Sequence, residues 1–332
     1  MTHPADAALP HAVAELHLHI EGTLEPETIF ELAARNAMTL PYADLADLRT
    51  RYEFTDLQSF LDLYYANMST LRTRADFTEM TWRYLVRAHR GGVRHTEVFV
   101  DPQAHTERGI AVSDVLGGVQ DALDRAAAEL DVTSGIIVCV LRHLPASQAL
   151  PMLEGALASG VPLLGIGLDS SEVGFPPGAF REAFDAAAAA GLHRVAHAGE
   201  EGPPAYIWEA LDVLGVERID HGVRCLEDPA LVERLARDQV PLTVCPTSNV
   251  RLRVVDRMAD HPLPRMLDAG LMVTVNSDDP AYFGGYVDDN YAALRHELGM
   301  PDDALRALAA NSVRASFASP GRKAELLAAL GV

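Results

Sequence analysis

Lysine is almost missing: the 332-residue chain carries one, Lys323, among helical residues near the C-terminus. A P-loop, a Schiff-base aldolase, a pyridoxal phosphate enzyme and a two-metal centre bridged by a carboxylated lysine each need a lysine in the site, so all four are excluded. Lys323 lies past the last plausible strand and reads as a solvated helix residue. Cysteine is scarce as well. Cys139, Cys225 and Cys245 are too few and too scattered for a disulfide framework or a CxxC zinc site, and each reads as packing. Positive charge is also short, with 27 Lys and Arg against 47 Asp and Glu and a net charge of −20. A phosphate backbone would be repelled, so nucleic acid is not an expected partner, and the case for a highly phosphorylated substrate is weakened. No stretch approaches membrane-spanning length, and the opening MTHPADAALPHAVAE lacks the basic and apolar regions of a signal peptide. A cytoplasmic protein with no membrane partner is expected.

What is present suits one large folded unit. Hydrophobic residues make up 48% of the chain, enough for a sizeable core, so a single domain is expected across residues 1–332. No Ser/Gly linker, low-complexity tract or internal repeat interrupts it. What recurs is a strand-like run followed by a helical pattern: ELHLHI from residue 15, VRHTEVFV from 93, GIIVCVL from 135, PLLGIGLD from 162, HRVAHAG from 193, RIDHG from 218, PLTVCP from 241 and MVTVNSDD from 272. Eight such units indicate the α/β class and a closed (β/α)8 TIM barrel more readily than an open doubly wound sheet. No GxGxxG follows the first run. The connection from Gly22 to about Gly92 is a helical insertion after strand 1 carrying Phe54, Phe60, Tyr64 and Tyr65. Most of these aromatics are expected to pack on the barrel wall, with part of the insertion closing over a substrate.

A barrel predicts where chemistry sits, because the C-terminal ends of its strands form the active face. In AELHLHIEG, residues 14–22, alternate side chains share a face, so His17 and His19 point together while Leu16, Leu18 and Ile20 take the other side. Alone, that pair is no more than the polar face of a half-wet strand. His197, however, ends the fifth run, His221 the sixth, and Asp278 and Asp279 the eighth. Polar residues far apart in sequence thus converge on one mouth, which chance alternation does not explain. Three neutral imidazoles and a carboxylate suit one zinc ion per chain with an open position for water, and His17, His19, His197 and Asp278 supply that set. Fe2+ or Mn2+ would accept the same donors. Such an ion lowers the pKa of its water to about 7, so a nucleophile exists without serine or cysteine.

HAGE places Glu200 three residues after His197, beyond a glycine that lets the chain turn over the mouth. A carboxyl group near a metal and shielded from water can stay protonated at neutral pH and act as an acid. Glu201 is expected to be solvated. His221, in IDHG, reads either as a base or orienter for the water or as a satisfied structural histidine. Asp279 should point away from its ligand neighbour and is assigned to substrate contact. Among the other histidines, His193 begins its strand at the stability end of the barrel; His89, His95, His143, His261 and His296 have no metal-like context; and His105, after strand two, could line the mouth but is expected on an exposed loop.

With HxH at 17–19, HAGE at 197–200, DHG at 220–222 and SDDP at 277–280, the chain resembles the adenosine and adenine deaminase family of metal-dependent hydrolases over almost its whole length. The resemblance implies one zinc and hydrolytic removal of the exocyclic amine from C6 of a purine. Carried onto these residues, Glu200 protonates ring nitrogen N1, His221 orients the zinc hydroxide that attacks C6, and Asp279 holds N7. Adenosine deaminases generally show HxHxDG, whereas here Glu21 takes the place of the aspartate, and Ser170 in LDSSE stands where they tend to have glycine. Both changes add bulk. Together with DPQAHTERGI and SDDPAYFGGY they look more like the adenine deaminase branch, whose substrate is the free base. Glu21 and Ser170 are therefore expected to bind substrate and close the sugar pocket. The expected partner is a small purine base, and a homo-oligomer is left open. Deamination of adenosine or of N6-substituted adenines stays open as an alternative, as do a two-metal hydrolase, which the missing lysine disfavours, and a non-catalytic barrel stapled by zinc.

Overall fold

Runs rich in Val, Ile and Leu, buried on both faces, form the strands of one parallel sheet. A computed structural model describes residues 11–332; the reading of the opening residues as leaderless falls largely on residues 1–10, outside the described residues. The strands are β1 (Val13–His19), β2 (Val93–Val100), β3 (Thr133–Leu141), β4 (Gly165–Asp169), β5 (His193–Ala198), β6 (Arg218–His221), β7 (Leu242–Val244) and β8 (Val273–Val275), each hydrogen bonded to the next in chain order. Leu18 bridges Asp278 to close the ring: the His19 N–H donates to the Asp278 carbonyl at 3.0 Å, and the Asp278 N–H to the His17 carbonyl at 3.1 Å. The result is the expected (β/α)8 barrel.

The barrel interior is layered. At the bottom, Arg218 donates to Glu97 at 2.6 Å and to the Leu16 carbonyl at 3.1 Å, and His95 Nε2 lies 3.1 Å from Glu97. Phe317 plugs this end, with its N–H bonded to Glu97 and its ring 4.8 Å from the Arg218 guanidinium. Above lies an apolar layer of Phe99, Ile137, Cys139 and Val195. The histidines sit above that, at the mouth. Simple alternation is broken in β1, whose register against β2 shifts twice, between Val13 and Ala14 and between Glu15 and Leu18. Glu15 consequently bonds Tyr84, at 2.7 Å on the outer helix Arg74–Arg90, and Ser277.

The insertion between β1 and β2 holds the helices Pro26–Arg35, Leu45–Thr50, Leu57–Met68 and Arg74–Arg90. Asp56 starts the third by accepting the Ser59 N–H at 2.8 Å, and the Ser59 side chain caps back. Residues Leu57, Phe60, Leu61, Tyr64 and Tyr65 then form one helical stripe facing the mouth. Phe60, Tyr64 and Tyr65 thus roof the site, whereas Phe54 packs on Phe60 and Phe283. Among the described residues, no helix is long and apolar enough to cross a membrane.

Candidate active site

The four candidate ligands meet at the mouth. His17 Nε2 lies 3.3 Å and His19 Nε2 3.5 Å from Asp278 Oδ1, and His19 Nε2 is 3.1 Å from His197 Nε2. Four ligands bound 2.0–2.1 Å from one tetrahedral ion stand about 3.4 Å apart. The observed separations are close to that spacing. Phe99 forms the floor, its ring 5.3 Å from His17, 5.1 Å from His19 and 5.7 Å from His197.

The groups behind the imidazoles decide which nitrogen faces the centre. His17 Nδ1 lies 3.2 Å from the Thr243 carbonyl, which can only accept, and 2.9 Å from Thr243 Oγ1, whose own proton goes to Asp220 at 2.8 Å. His17 therefore carries its proton on Nδ1 and turns a bare Nε2 to the centre, where that atom has no hydrogen-bond partner among the described residues. His19 Nδ1 faces Asp169 at 3.5 Å and His197 Nδ1 faces Asp220 at 3.6 Å; neither contact is a hydrogen bond, but each carboxylate draws a proton toward Nδ1. Two bare nitrogens 3.1 Å apart beside a carboxylate repel one another unless a cation lies among them. The donor set fits a divalent ion.

His221 is oriented the other way. The Leu263 N–H donates to His261 Nδ1 at 3.1 Å, so His261 donates from Nε2 to Asn249 Oδ1 at 3.1 Å, and Asn249 Nδ2 faces His221 Nδ1 at 3.5 Å. This relay leaves the His221 proton on Nε2, 3.6 Å from Glu200 and 3.8 Å from Asp278. Distance alone would admit His221 to a ligand set with His17, His197 and Asp278. A protonated nitrogen cannot coordinate, however, so its place is that of a donor over the centre. Burial above all brings its pKa down to about 3, and the ring stays neutral.

Glu200 is positioned by a group that motif reading overlooked. The Glu172 carboxylate accepts the N–H groups of Gly199 (2.6 Å), Glu200 (3.1 Å), Glu201 (2.9 Å) and Gly202 (2.8 Å), holding the whole turn after β5. Both glycines are required: Gly199 has φ +75°, and a β-carbon on Gly202 would meet Glu172 Oε1 at 2.4 Å. Buried Arg142 fixes the strand end by donating to the His197 carbonyl at 2.7 Å. Burial, followed by the charges of Asp278 and Glu172, holds the Glu200 carboxyl well above the usual range, so it keeps its proton. Glu201 is half-buried at the outer rim.

Asp279 lines a narrow chamber with His19, Asp101, Asp169, Ser170 and Glu200. Burial and the charge of Asp278 raise its carboxyl likewise. A β-carbon on Gly22 would meet Asp279 Oδ1 at 2.0 Å, which is why glycine follows Glu21. The chamber, of about 30 Å³, adjoins a vestibule of about 360 Å³. Ser170 stands between the two with φ +72°, its hydroxyl held by His143 at 2.7 Å and Tyr65 at 3.0 Å. Glu21 does not line the chamber. It is buried one layer behind, accepting the Asp101 N–H at 3.2 Å and meeting His105 Nε2 at 2.9 Å. The expectation that His105 lies on an exposed loop is corrected: it is fully buried, because a carboxylate buried there needs a donor.

Asp101, Arg142 and Asp169 also escaped the sequence reading, although each ends or follows a strand and the strand-end rule applied to Asp278 would have flagged them. Asn249 and His261 carry no such signal, since their role depends on a contact between separate loops.

A model of the adenosine deaminase family matches residues 12–331. The chain is 60% identical over 317 residues to an adenine deaminase of Streptomyces coelicolor, covering 96% of this chain and 93% of the relative. Among solved structures, an adenine deaminase from Arthrobacter aurescens gives a TM-score of 0.96 at 60% identity, covering 98% of each chain. An amidohydrolase from Burkholderia ambifaria with bound zinc gives 0.89 at 27% identity, covering 97% of this chain and 90% of that one. Barrel, histidine tautomers and full-length similarity agree, and the chain belongs to the adenosine deaminase family.

Proposed function

We propose that this protein hydrolyses adenine to hypoxanthine and ammonia, acting as a single domain on a small purine base and not on nucleic acid. The observation that carries the reading is the convergence of the His17, His19 and His197 rings on Asp278, with the buried Glu200 carboxyl alongside. His17, His19, His197 and Asp278 would hold one zinc ion, the metal named with the Burkholderia relative. A divalent ion held there acidifies water to a pKa of about 7. Glu200 gives its proton to N1 of the ring, which makes C6 electron-poor. His221 directs its Nε2–H at the oxygen that adds to C6, and Asp279 donates to N7. As the C6–N bond breaks, the proton of the added hydroxyl goes to the amine and ammonia leaves, while the proton water lost on activation restores Glu200; the 6-oxo base remains, and adenine plus water balances hypoxanthine plus ammonia. The roof of Leu57, Phe60, Leu61 and Tyr64 excludes bulk water and keeps the ring flat against the polar groups.

The free base is favoured over the nucleoside by the adenine deaminase relatives and by the Ser170 side chain, pinned by Tyr65 and His143 where the narrow chamber meets the vestibule. Ultraviolet deamination assays with zinc-loaded protein test this against adenosine, N6-alkyl adenines and cytosine. Adenine is expected to react at least about 100-fold more efficiently than adenosine. Equal efficiency overturns the free-base reading, and no ammonia from any aminopurine overturns the deaminase reading.

A further inference from the structure

Asp101 follows β2 and lines the chamber beside Asp169 and Ser170. It is buried, its Oδ1 has no hydrogen-bond partner among the described residues, and Glu21 fixes its backbone N–H. Deamination at C6 makes no use of it, since N1 falls to Glu200, N7 to Asp279 and the attacking side to His221 and the metal ligands. A buried acceptor lacking a donor is costly, and so is a buried ligand donor lacking an acceptor.

Adenine placed with C6 at the cluster, N1 at Glu200 and N7 at Asp279 has two ring positions left. N3 only accepts; N9–H only donates. The hydroxyls of Ser170 and Tyr65, beside Asp101, can donate to N3. N9–H needs a carboxyl oxygen. N7 and N9 belong to one five-membered ring, so their partners must be neighbours, and Asp279 and Asp101 line the same narrow chamber. Asp169 stands behind a metal-ligand candidate, its Oδ2 3.5 Å from His19 Nδ1, on the side of the chamber where C6 must lie. Burial and the charge of Asp169 hold the Asp101 carboxyl well above the usual range. Asp101 Oδ1, which lacks a partner among the described residues, remains as an acceptor in the chamber.

We infer that Asp101 is the specificity residue of this site: its carboxyl oxygen receives the N9–H that a free purine base has and a nucleoside lacks. The inference rests on the adenine reading above. In a nucleoside, a sugar carbon would meet this oxygen with no hydrogen to offer, so one group both holds the base and rejects the nucleoside. Glu21 acts on specificity through Asp101, whose N–H it holds.

The test compares adenine with 9-methyladenine in wild type, Asp101→Leu and Asp101→Asn. Asp101→Leu, which keeps the shape and removes the acceptor, is expected to lower kcat/KM for adenine about 100-fold while changing 9-methyladenine less than about threefold. Asp101→Asn retains a carbonyl for N9–H and a donor for Asp169, and should stay within about tenfold of wild type. A parallel fall of both substrates in the leucine variant, or an asparagine variant as poor as leucine, overturns the inference while leaving adenine deamination intact. Should the leucine variant not fold, calorimetry on the wild type decides: hypoxanthine is expected to bind at least about 100-fold more tightly than 9-methylhypoxanthine, and equal binding overturns the inference. Wild type inactive on adenine refutes the parent reading instead, and this inference with it.

Discussion

The two ends of the barrel interior treat buried charge in opposite ways. At the bottom, Glu97 meets Arg218, His95 and the Phe317 N–H. Burial alone would raise its pKa, but the Arg218 charge outweighs that and holds it at about 2. At the mouth, Glu200 Oε1, Asp101 Oδ1, Asp169 Oδ1 and Asp279 Oδ1 have no hydrogen-bond partner among the described residues, and Glu200 and Asp279 are held well above their usual range. Ser170, His221 and Asp278 also adopt left-handed backbone there, each at a cost of about 1–3 kcal/mol. Paired charge at one end stabilises the fold. Unpaired groups and strain at the other are what a site awaiting ligands requires.

The comparison is broken most sharply by exchanging single groups at each end. Glu200→Gln should lower kcat by about 10²–10⁴-fold in a spectrophotometric assay, with no loss of melting temperature, because it removes a proton donor and no paired charge. A drop in stability comparable to a core mutation would remove the contrast. Arg218→Met should do the reverse: it strands the Glu97 charge and costs about 3–5 kcal/mol in denaturant unfolding, with turnover per folded molecule unchanged.

Glu172→Gln sits between these extremes. The amide sets N–H against N–H in the turn after β5, so kcat should fall about 10–100-fold with a smaller change in KM, as expected of a residue that positions Glu200 without touching substrate. The smallest effect is one of pH. The Glu97 pKa is lowered from 4.5 to about 2, so the stability it contributes is fully present above 4.5 and is lost as pH falls from there toward 2. Urea midpoints measured across that interval should decline in wild type and decline less in Glu97→Gln.

Most of the fold was legible because eight apolar runs, alternating with helical segments, fix both the number and the direction of the strands. The convergence of the candidate ligands was legible for the same reason: a histidine or aspartate at a strand end has one place to go. Asp101 and Asp169 obey that rule too, but DPQAHTERGI and LDSSE were read for the branch they resemble and for Ser170, so the acids within them did not stand out. Glu21 was misplaced by a layer because its motif position indicates the mouth, while its side-chain direction depends on His105 and the loop after β2. The tautomer of His221 could not be read at all, since it descends from the Leu263 backbone through His261 and Asn249. The shift that turns Glu15 outward likewise arises from pairing with β2.

The seam between β8 and β1 is made by peptide groups of His17, His19 and Asp278, whose side chains are also three of the four candidate ligands. An ion clasped by those side chains would rivet the first and last staves of the cylinder. Circular closure and reactivity would then share one fastening, and a chain that lost its grip on the metal would loosen its own wall.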